Sequence, residues 1–176
     1  MSTPSNIAAV TLGLRHMIQT KLPPKVEVCT LPPAQAGKFV KRSGRLARVN
    51  VALYRVSANA AGRQLLAPRR DGTPAEPPGL PALDLHYLIT VYGSASPAQE
   101  HSAERLLEAV CRAIHQQPLL TSADLAAALP GAEVGQKLSA RIVEAAWSPA
   151  EMQLLFSAMR AEYRPTLPCL VILSEG

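Results

Sequence analysis

Asp84 and His86 are two ionisable residues separated by one position in an extended stretch that runs from Pro81 to Gly93. Side chains alternate between the two faces of a strand, so this pair lies on one face. A carboxylate beside an imidazole can orient it for acid–base work. The same pair can equally be a polar contact that holds the strand or an adjoining loop, and no nucleophile stands in a recognisable setting. The sequence therefore predicts a structural pair and no enzyme.

Cysteine and histidine spacing gives the second possible chemistry. Cys111 and His115 lie one helical turn apart, where they can hold one metal ion together. Zinc needs three or four ligands, and no other close motif supplies them. With Cys29 and Cys169 the cysteines are odd in number and widely spaced, which is typical of reduced, structural thiols. Because P-loop, Gly-x-Ser-x-Gly and dinucleotide-binding motifs are also missing, we expect no catalytic residue, metal or cofactor.

A basic run offers a binding function instead. It consists of Lys38, Lys41, Arg42, Arg45 and Arg48. We interpret the run as a loop that enters a strand, and the formal net charge of +5 favours acidic partners. Two hypotheses stay open, a solvated loop and a contact with an acidic protein surface. Nucleic acid is disfavoured, because Phe39 is the only aromatic residue in the run and bases would lack a stacking platform.

The bulk composition indicates a single globular domain over residues 1–176. Hydrophobic residues make up 48% of the chain and charged residues 18%, which is enough apolar material for a core. No apolar run approaches the ~20 residues that span a membrane, and the N-terminus lacks the pattern of a signal peptide. We therefore expect synthesis and folding in the cytoplasm.

Five stretches have strand patterns. The strongest is Pro81–Gly93, with Leu85, Tyr87 and Ile89 on its apolar face. The others are Lys25–Thr30, Arg48–Val56, Leu138–Ala146 and Thr166–Leu173. Proline cannot donate to a ladder, so Pro168 predicts either that the last strand lies at an edge or that this residue stands at the start of the strand.

Helix signals surround these strands. Apolar residues recur at helical spacing after Ser5-Asn6, and Ser96-Pro97 begins a helix whose stripe runs from Ala103 to Ile114. A short helix follows near Ser122, and Ser148-Pro149-Ala150-Glu151 begins another. Trp147 before that cap and Met152 after it are placed to form a hydrophobic staple. A proline-rich, mobile loop is expected at about 62–81.

The order of these elements favours an α+β fold. We expect one mixed, largely antiparallel sheet of about four to five strands, with two or three amphipathic helices packed on one face.

Several ordered segments resemble the cap, or tail terminator, proteins of extracellular contractile injection systems, whose N-terminal domain was long a domain of unknown function. The segments are Ile7–Thr11, Leu53–Ala60, Leu83–Thr90, Tyr92–Gly93, Ala103–Leu107 and Met152–Arg160. Two features depart from the family pattern. Several members continue into an additional C-terminal part, whereas this sequence stops at Gly176, and Pro165 and Pro168 interrupt a terminal strand that is often continuous.

The resemblance implies a tail-terminator-like fold and a structural role without catalytic residues. Such proteins form a ring, usually a homohexamer, that closes the distal end of the tail tube and sheath. The ring stops polymerisation and anchors the sheath until contraction. The implied partners are other copies of the chain and the tube and sheath subunits, with no small-molecule substrate. The implied location is cytoplasmic assembly into a phage-tail-like particle that can be released. The alternative is a stand-alone, non-catalytic binding module that uses the 38–48 loop on an acidic protein or nucleic acid.

Overall fold

Six strands form one mixed sheet in a computed structural model of the protein, which describes residues 6–43, 47–59, 83–93, 101–129 and 138–175, without the side chains of residues 39–43 and 175. The strands are β1 (Glu27–Cys29), β2 (Arg48–Ala58), β3 (Leu83–Tyr92), β4 (Leu119–Leu120), β5 (Leu138–Glu144) and β6 (Thr166–Glu175). Their spatial order is β1-β2-β3-β6-β5-β4. β1 and β2 are parallel, and every other neighbouring pair is antiparallel. The predicted α+β class is confirmed, with a sixth strand, β4, that is too short to show alternation in the sequence.

Five helices accompany the sheet in the described residues. They are α1 (Asn6–Lys21), α2 (Pro33–Ser43), α3 (Ser102–Gln116), α4 (Ser122–Ala128) and α5 (Pro149–Ala158). The proposed loop at about 62–81 lies outside the described residues, and so does Ser96-Pro97. The helix that was predicted to begin at Ser96-Pro97 begins at Ser102 instead, with His101 as its N-cap. The structure corrects one assignment, because α2 occupies the first half of the segment interpreted as a basic loop.

The main core lies between one face of the sheet and helices α1, α3 and α4. Leu14 of α1, Val110 of α3 and Leu125 of α4 are fully buried there, together with the apolar face of β3. Three amphipathic helices therefore pack on one face, as predicted. The hydroxyl of the buried Tyr87 lies 2.8 Å from that of Thr11, which satisfies a polar group that would otherwise be costly to bury.

α5 packs on the opposite face of the sheet. Met152 and Phe156 of this helix contact Leu88, which points away from the main core. Trp147, just before the helix, packs against the same cluster, and the capping box of Ser148 and Glu151 is formed. The staple predicted around Ser148 therefore fixes α5 against a second, smaller core.

A β-bulge in β2 changes which face of the sheet its later side chains lie on. The register with β3 shifts between Leu53 and Arg55, so Tyr54 is the additional residue. The alternation in the sequence placed Val56 on the face of Tyr54. The bulge instead sets Val56 opposite Leu85, on the side of the main core, where Val56 stays exposed.

β6 is an inner strand, so the edge position, one of the two interpretations of Pro168, is wrong. Pro168 is the third residue of β6 and lies near the strand start, which was the other interpretation. It pairs with β3 on one side and with β5 on the other. The Pro168 carbonyl accepts a hydrogen bond from the Ala145 N–H at 2.9 Å. In an antiparallel strand the N–H and C=O of one residue face the same neighbour, so the missing donor also faces β5. Because β5 ends at Glu144, the proline falls where that ladder stops.

Candidate functional site

Asp84 and His86 belong to a cross-strand polar cluster at the end of the β2–β3 pair. His86 Nε2 lies 3.0 Å from the Ser57 hydroxyl, and Asn59 donates its side-chain N–H to Asp84 at 2.8 Å. Ser57 and Asp84 face each other across the ladder. The sequence placed Asp84 and His86 together but did not identify Ser57 and Asn59, because the pairing register that joins them includes the bulge.

The electrostatics of this cluster differ from those of a catalytic triad. Desolvation, followed by the positive charge of Arg55, lowers the pKa of His86, while Asp84 opposes the shift. The imidazole is therefore neutral at pH 7 and can accept a proton. In a triad a carboxylate binds and orients the histidine, whereas the Asp84 hydrogen bond found in the described chain comes from Asn59. The arrangement accounts for two polar pairs that fasten β2 to β3.

The predicted basic residues do not form one loop. Lys38 is an exposed residue of α2, and the backbone of Lys41 and Arg42 continues that helix, although their side chains are not described. Arg45 lies outside the described residues. Arg48, only 1% exposed, is buried in β2 and forms an ion pair with Glu27 of β1. Its assignment to an exposed patch is corrected, because the strand pairing points its guanidinium at a neighbouring carboxylate.

Asn50 anchors the chain where it leaves β1. This fully buried amide accepts the Leu31 N–H and donates to the Leu31 carbonyl, both at 2.9 Å. It also accepts a hydrogen bond from the Cys29 thiol. The short segment before α2 is thereby fixed to the sheet, which positions Lys38. No pattern in the sequence indicates this role, since a lone asparagine in a strand has no expected partner.

Cys111 and His115 belong to no cluster of potential metal ligands in the described part of the chain. Within the described ranges, no group of three or more potential metal-ligating side chains is found. The imidazole of His115 lies 3.8 Å from Glu144, and burial raises the pKa of the Cys111 thiol. Cys29 and Cys169 are free as well, and burial raises the pKa of Cys169 to about 12. These pKa values favour the protonated, unreactive thiol.

The described sheet has an open edge at β2. β1 covers only Arg48–Asn50, so in the described part of the chain Val51–Ala58 has a partner strand on one side alone. Beside it lies a groove of about 420 Å³, lined by Leu31, Tyr54 and Met159, among others. If the last strand lay at an edge, it could accept an extended arm from another subunit by strand addition, but β6 is paired on both sides and cannot do so. Among the described strands, Val51–Ala58 is an edge segment that has backbone groups without a partner strand, which is what strand addition requires.

A second cleft, smaller than the groove beside β2, is lined by Lys38, Arg160 and Arg164, among others. Neither arginine was among the predicted site residues, because the cleft joins segments that are far apart in the sequence. No described helix is both long and apolar enough to cross a membrane.

Comparisons with known proteins identify what the chain is similar to. Residues 9–174 match the family model described as the Pvc16 N-terminal domain. Among solved structures, the chain is similar to the PVC sheath/tube terminator of an extracellular contractile injection system in its extended state. That match has a TM-score of 0.62 and 16% identity, and covers 100% of this chain and 58% of the other.

A second similar structure is the anti-feeding prophage cap, described as the AFP tube terminating cap. The TM-score is 0.59 at 15% identity, with 95% of this chain and 54% of the other covered. The chain thus spans little more than half the length of either structure. At these identities the similarity shows a shared fold. The comparison with curated proteins found no match.

Proposed function

The chain belongs to the Pvc16 N-terminal domain family, and from this we propose that it is a structural cap of a contractile injection particle. In this role it closes the distal end of the tube and sheath, stops polymerisation and anchors the sheath. The observation that carries the proposal is the shared fold with the sheath/tube terminator over 100% of this chain.

The architecture suits such a role. A rigid six-stranded sheet with helices on both faces presents its surfaces at fixed positions, as a ring subunit requires. The proposed role is non-catalytic, and the cluster of Asp84 and His86 supports this because its hydrogen bonds join neighbouring strands.

The proposed assembly is a ring of identical subunits, a homohexamer, that contacts tube and sheath subunits. We place its assembly in the cytoplasm, before the particle is released. Purified protein should then have a solution mass near six times 18.8 kDa, measured by light scattering after size exclusion. Closed rings are favoured because most soluble homo-oligomers have closed point-group symmetry. A monomer that caps tube ends would refute the preformed ring and leave the capping role intact.

Deletion of the chain from a particle-producing strain tests the capping role itself. We expect tubes and sheaths of uncontrolled length, seen by negative-stain microscopy, and normal lengths after complementation. The matched control is complementation with a variant that carries Arg112→Gln, an exposed charge change on α3. Particles of normal length and intact sheath in the deletion strain would end the proposal.

The basic residues of the 38–45 segment are the proposed contact with an acidic neighbouring subunit. Lys38→Glu should weaken assembly, and the wild-type contact should weaken with salt, because exposed charges are screened. Light scattering in low and high salt measures both effects. Assembly of the Lys38→Glu protein at wild-type concentration and salt sensitivity would exclude this residue from the contact.

A further inference from the structure

A basic cleft lies between α2 and the segment that joins α5 to β6. Its volume is about 180 Å³. Lys38 stands on one side, Tyr92 comes from the end of β3, and Arg160, Glu162 and Arg164 come from the joining segment. Three cationic side chains therefore surround a cleft that contains one carboxylate.

The single carboxylate is already engaged. Glu162 accepts a hydrogen bond from the Arg164 guanidinium at 2.6 Å. Lys38 and Arg160 form no ion pair with any residue that the structure describes. Within the described residues, two positive charges at the cleft therefore have no carboxylate partner, and such charges attract an anion.

Tyr92 adds a neutral hydrogen-bond donor. Its side chain is 6% exposed and lines the cleft. Desolvation, above all, raises the pKa of Tyr92 to about 12. The phenol therefore stays protonated at physiological pH. Its hydroxyl can donate a hydrogen bond to an anion, which adds to the attraction by the charges of Lys38 and Arg160.

The backbone at Arg160 gives an independent reason to assign it a function. Its φ of 51° lies in the left-handed region. The Arg160 N–H bonds the Ser157 carbonyl and the Ala161 N–H bonds the Phe156 carbonyl, both at 3.0 Å. These are the two hydrogen bonds of a Schellman motif, whose left-handed position favours glycine. An arginine there costs backbone free energy that glycine avoids, and strain of this kind concentrates at functional sites.

We propose that this cleft binds a carboxylate side chain of a neighbouring protein subunit, with Arg160 and Lys38 as its charged contacts. The cleft is smaller than the roughly 300–1,000 Å³ of small-molecule sites, so it suits one side chain and not a cofactor. The identity of the neighbour, a subunit of the particle, rests on the proposed function. The chemistry of the ligand does not.

The probe is the peptide acetyl-Gly-Glu-Glu-Gly-amide, titrated into isotope-labelled protein and followed by NMR. We expect chemical-shift changes in residues 33–38 and 160–164, and none with the matched Gln-Gln peptide. Arg160→Gly should weaken binding about fivefold, the upper range for an exposed ion pair. Arg160→Lys keeps the charge and should retain most of the affinity, whereas Arg112→Gln, with its change on α3, should bind as the wild type does.

Stability separates a functional from a structural arginine. Arg160→Gly relieves the left-handed conformation, so its urea midpoint should equal or exceed that of the wild type while its peptide affinity falls. Lys38→Gln tests the other wall of the cleft in the same way. Equal affinity in Arg160→Gly and wild type, or shift changes centred elsewhere, would overturn the assignment. Because the peptide assay needs no tube, loss of this site and loss of the capping role are distinguishable.

Discussion

Replacing Gly93 by alanine adds a methyl group between the end of β3 and the start of α3. A Cβ at this position would lie 2.6 Å from the Ser102 hydroxyl oxygen, 2.8 Å from the Ala103 nitrogen and 3.0 Å from the Ala103 Cβ. The hydroxyl can rotate away, but the Ala103 nitrogen belongs to the helix backbone. The methyl group therefore has to move α3 relative to the sheet, and α3 buries Leu106 and Val110 in the main core.

The free energy of unfolding should fall by about 1–2 kcal/mol. Overpacking a fitted site costs about 1–3 kcal/mol. Against this, alanine restricts the unfolded chain and returns about 0.4–1 kcal/mol. For a chain of this size each kcal/mol corresponds to a fall in Tm of about 2–4 °C.

Gly37→Ala is the matched control, with the same chemical change in a different setting. A Cβ there has no atom within 4 Å apart from its chain neighbours and the backbone of its own helix, and Gly37 lies inside α2. Alanine should stabilise this helix by about 0.5–1 kcal/mol, because glycine is a poor helix former. The two variants should therefore differ in opposite directions from the wild type.

Urea unfolding followed by far-UV circular dichroism measures all three proteins, with Ser102→Ala and the double variant to complete a cycle. Removal of the Ser102 hydroxyl relieves one contact and leaves the backbone contact, so the double variant should recover only part of the loss. The steric reasoning fails if Gly93→Ala is as stable as Gly37→Ala.

Three further predictions concern single groups. Asp124→Asn should destabilise the protein at neutral pH but not at about pH 2. Hydrogen bonds from the Thr121 backbone and hydroxyl lower the pKa of Asp124 in the folded state. The stabilisation by the carboxylate is therefore present above the pKa of the unfolded state and is lost as the pH falls through the folded pKa. A pH-independent difference in urea midpoint would contradict this. Tyr87→Phe should cost about 1 kcal/mol in urea unfolding, through loss of the hydrogen bond to Thr11, and no cost would exclude that bond. Cys169, which is 1% exposed, should resist iodoacetamide in the native protein, and rapid labelling seen by mass spectrometry would disprove its burial.

Local patterns predicted most of the elements. The alternation in β3 identified its buried face, and the serine cap with Glu151 located the start of α5. These signals are readable because they depend on neighbours within one strand or one helical turn.

Features that depend on distant neighbours were missed. Pro168 indicated an edge or a strand start, and the local pattern could not decide between them. The end of β5 at Glu144 makes the proline acceptable near the start of an inner strand. Charge alone suggested a basic patch that includes Arg48, whereas Arg48 is buried and forms an ion pair with Glu27 on β1. The cleft at Arg160 depends on a backbone conformation that no local pattern indicated.

The position of β6 also sets the order in which the protein can be built. Strands β1–β3 and the β4–β5 pair are made earlier, yet within the described sheet they are joined only through residues 166–175. The six-stranded sheet therefore cannot be completed while those residues are still untranslated. Domains fold as units during synthesis, so this one reaches its complete form only when β6 has left the ribosome. Surfaces that require the complete sheet, including the cleft beside Tyr92, therefore form only after this region has been synthesised, and partners cannot bind them earlier.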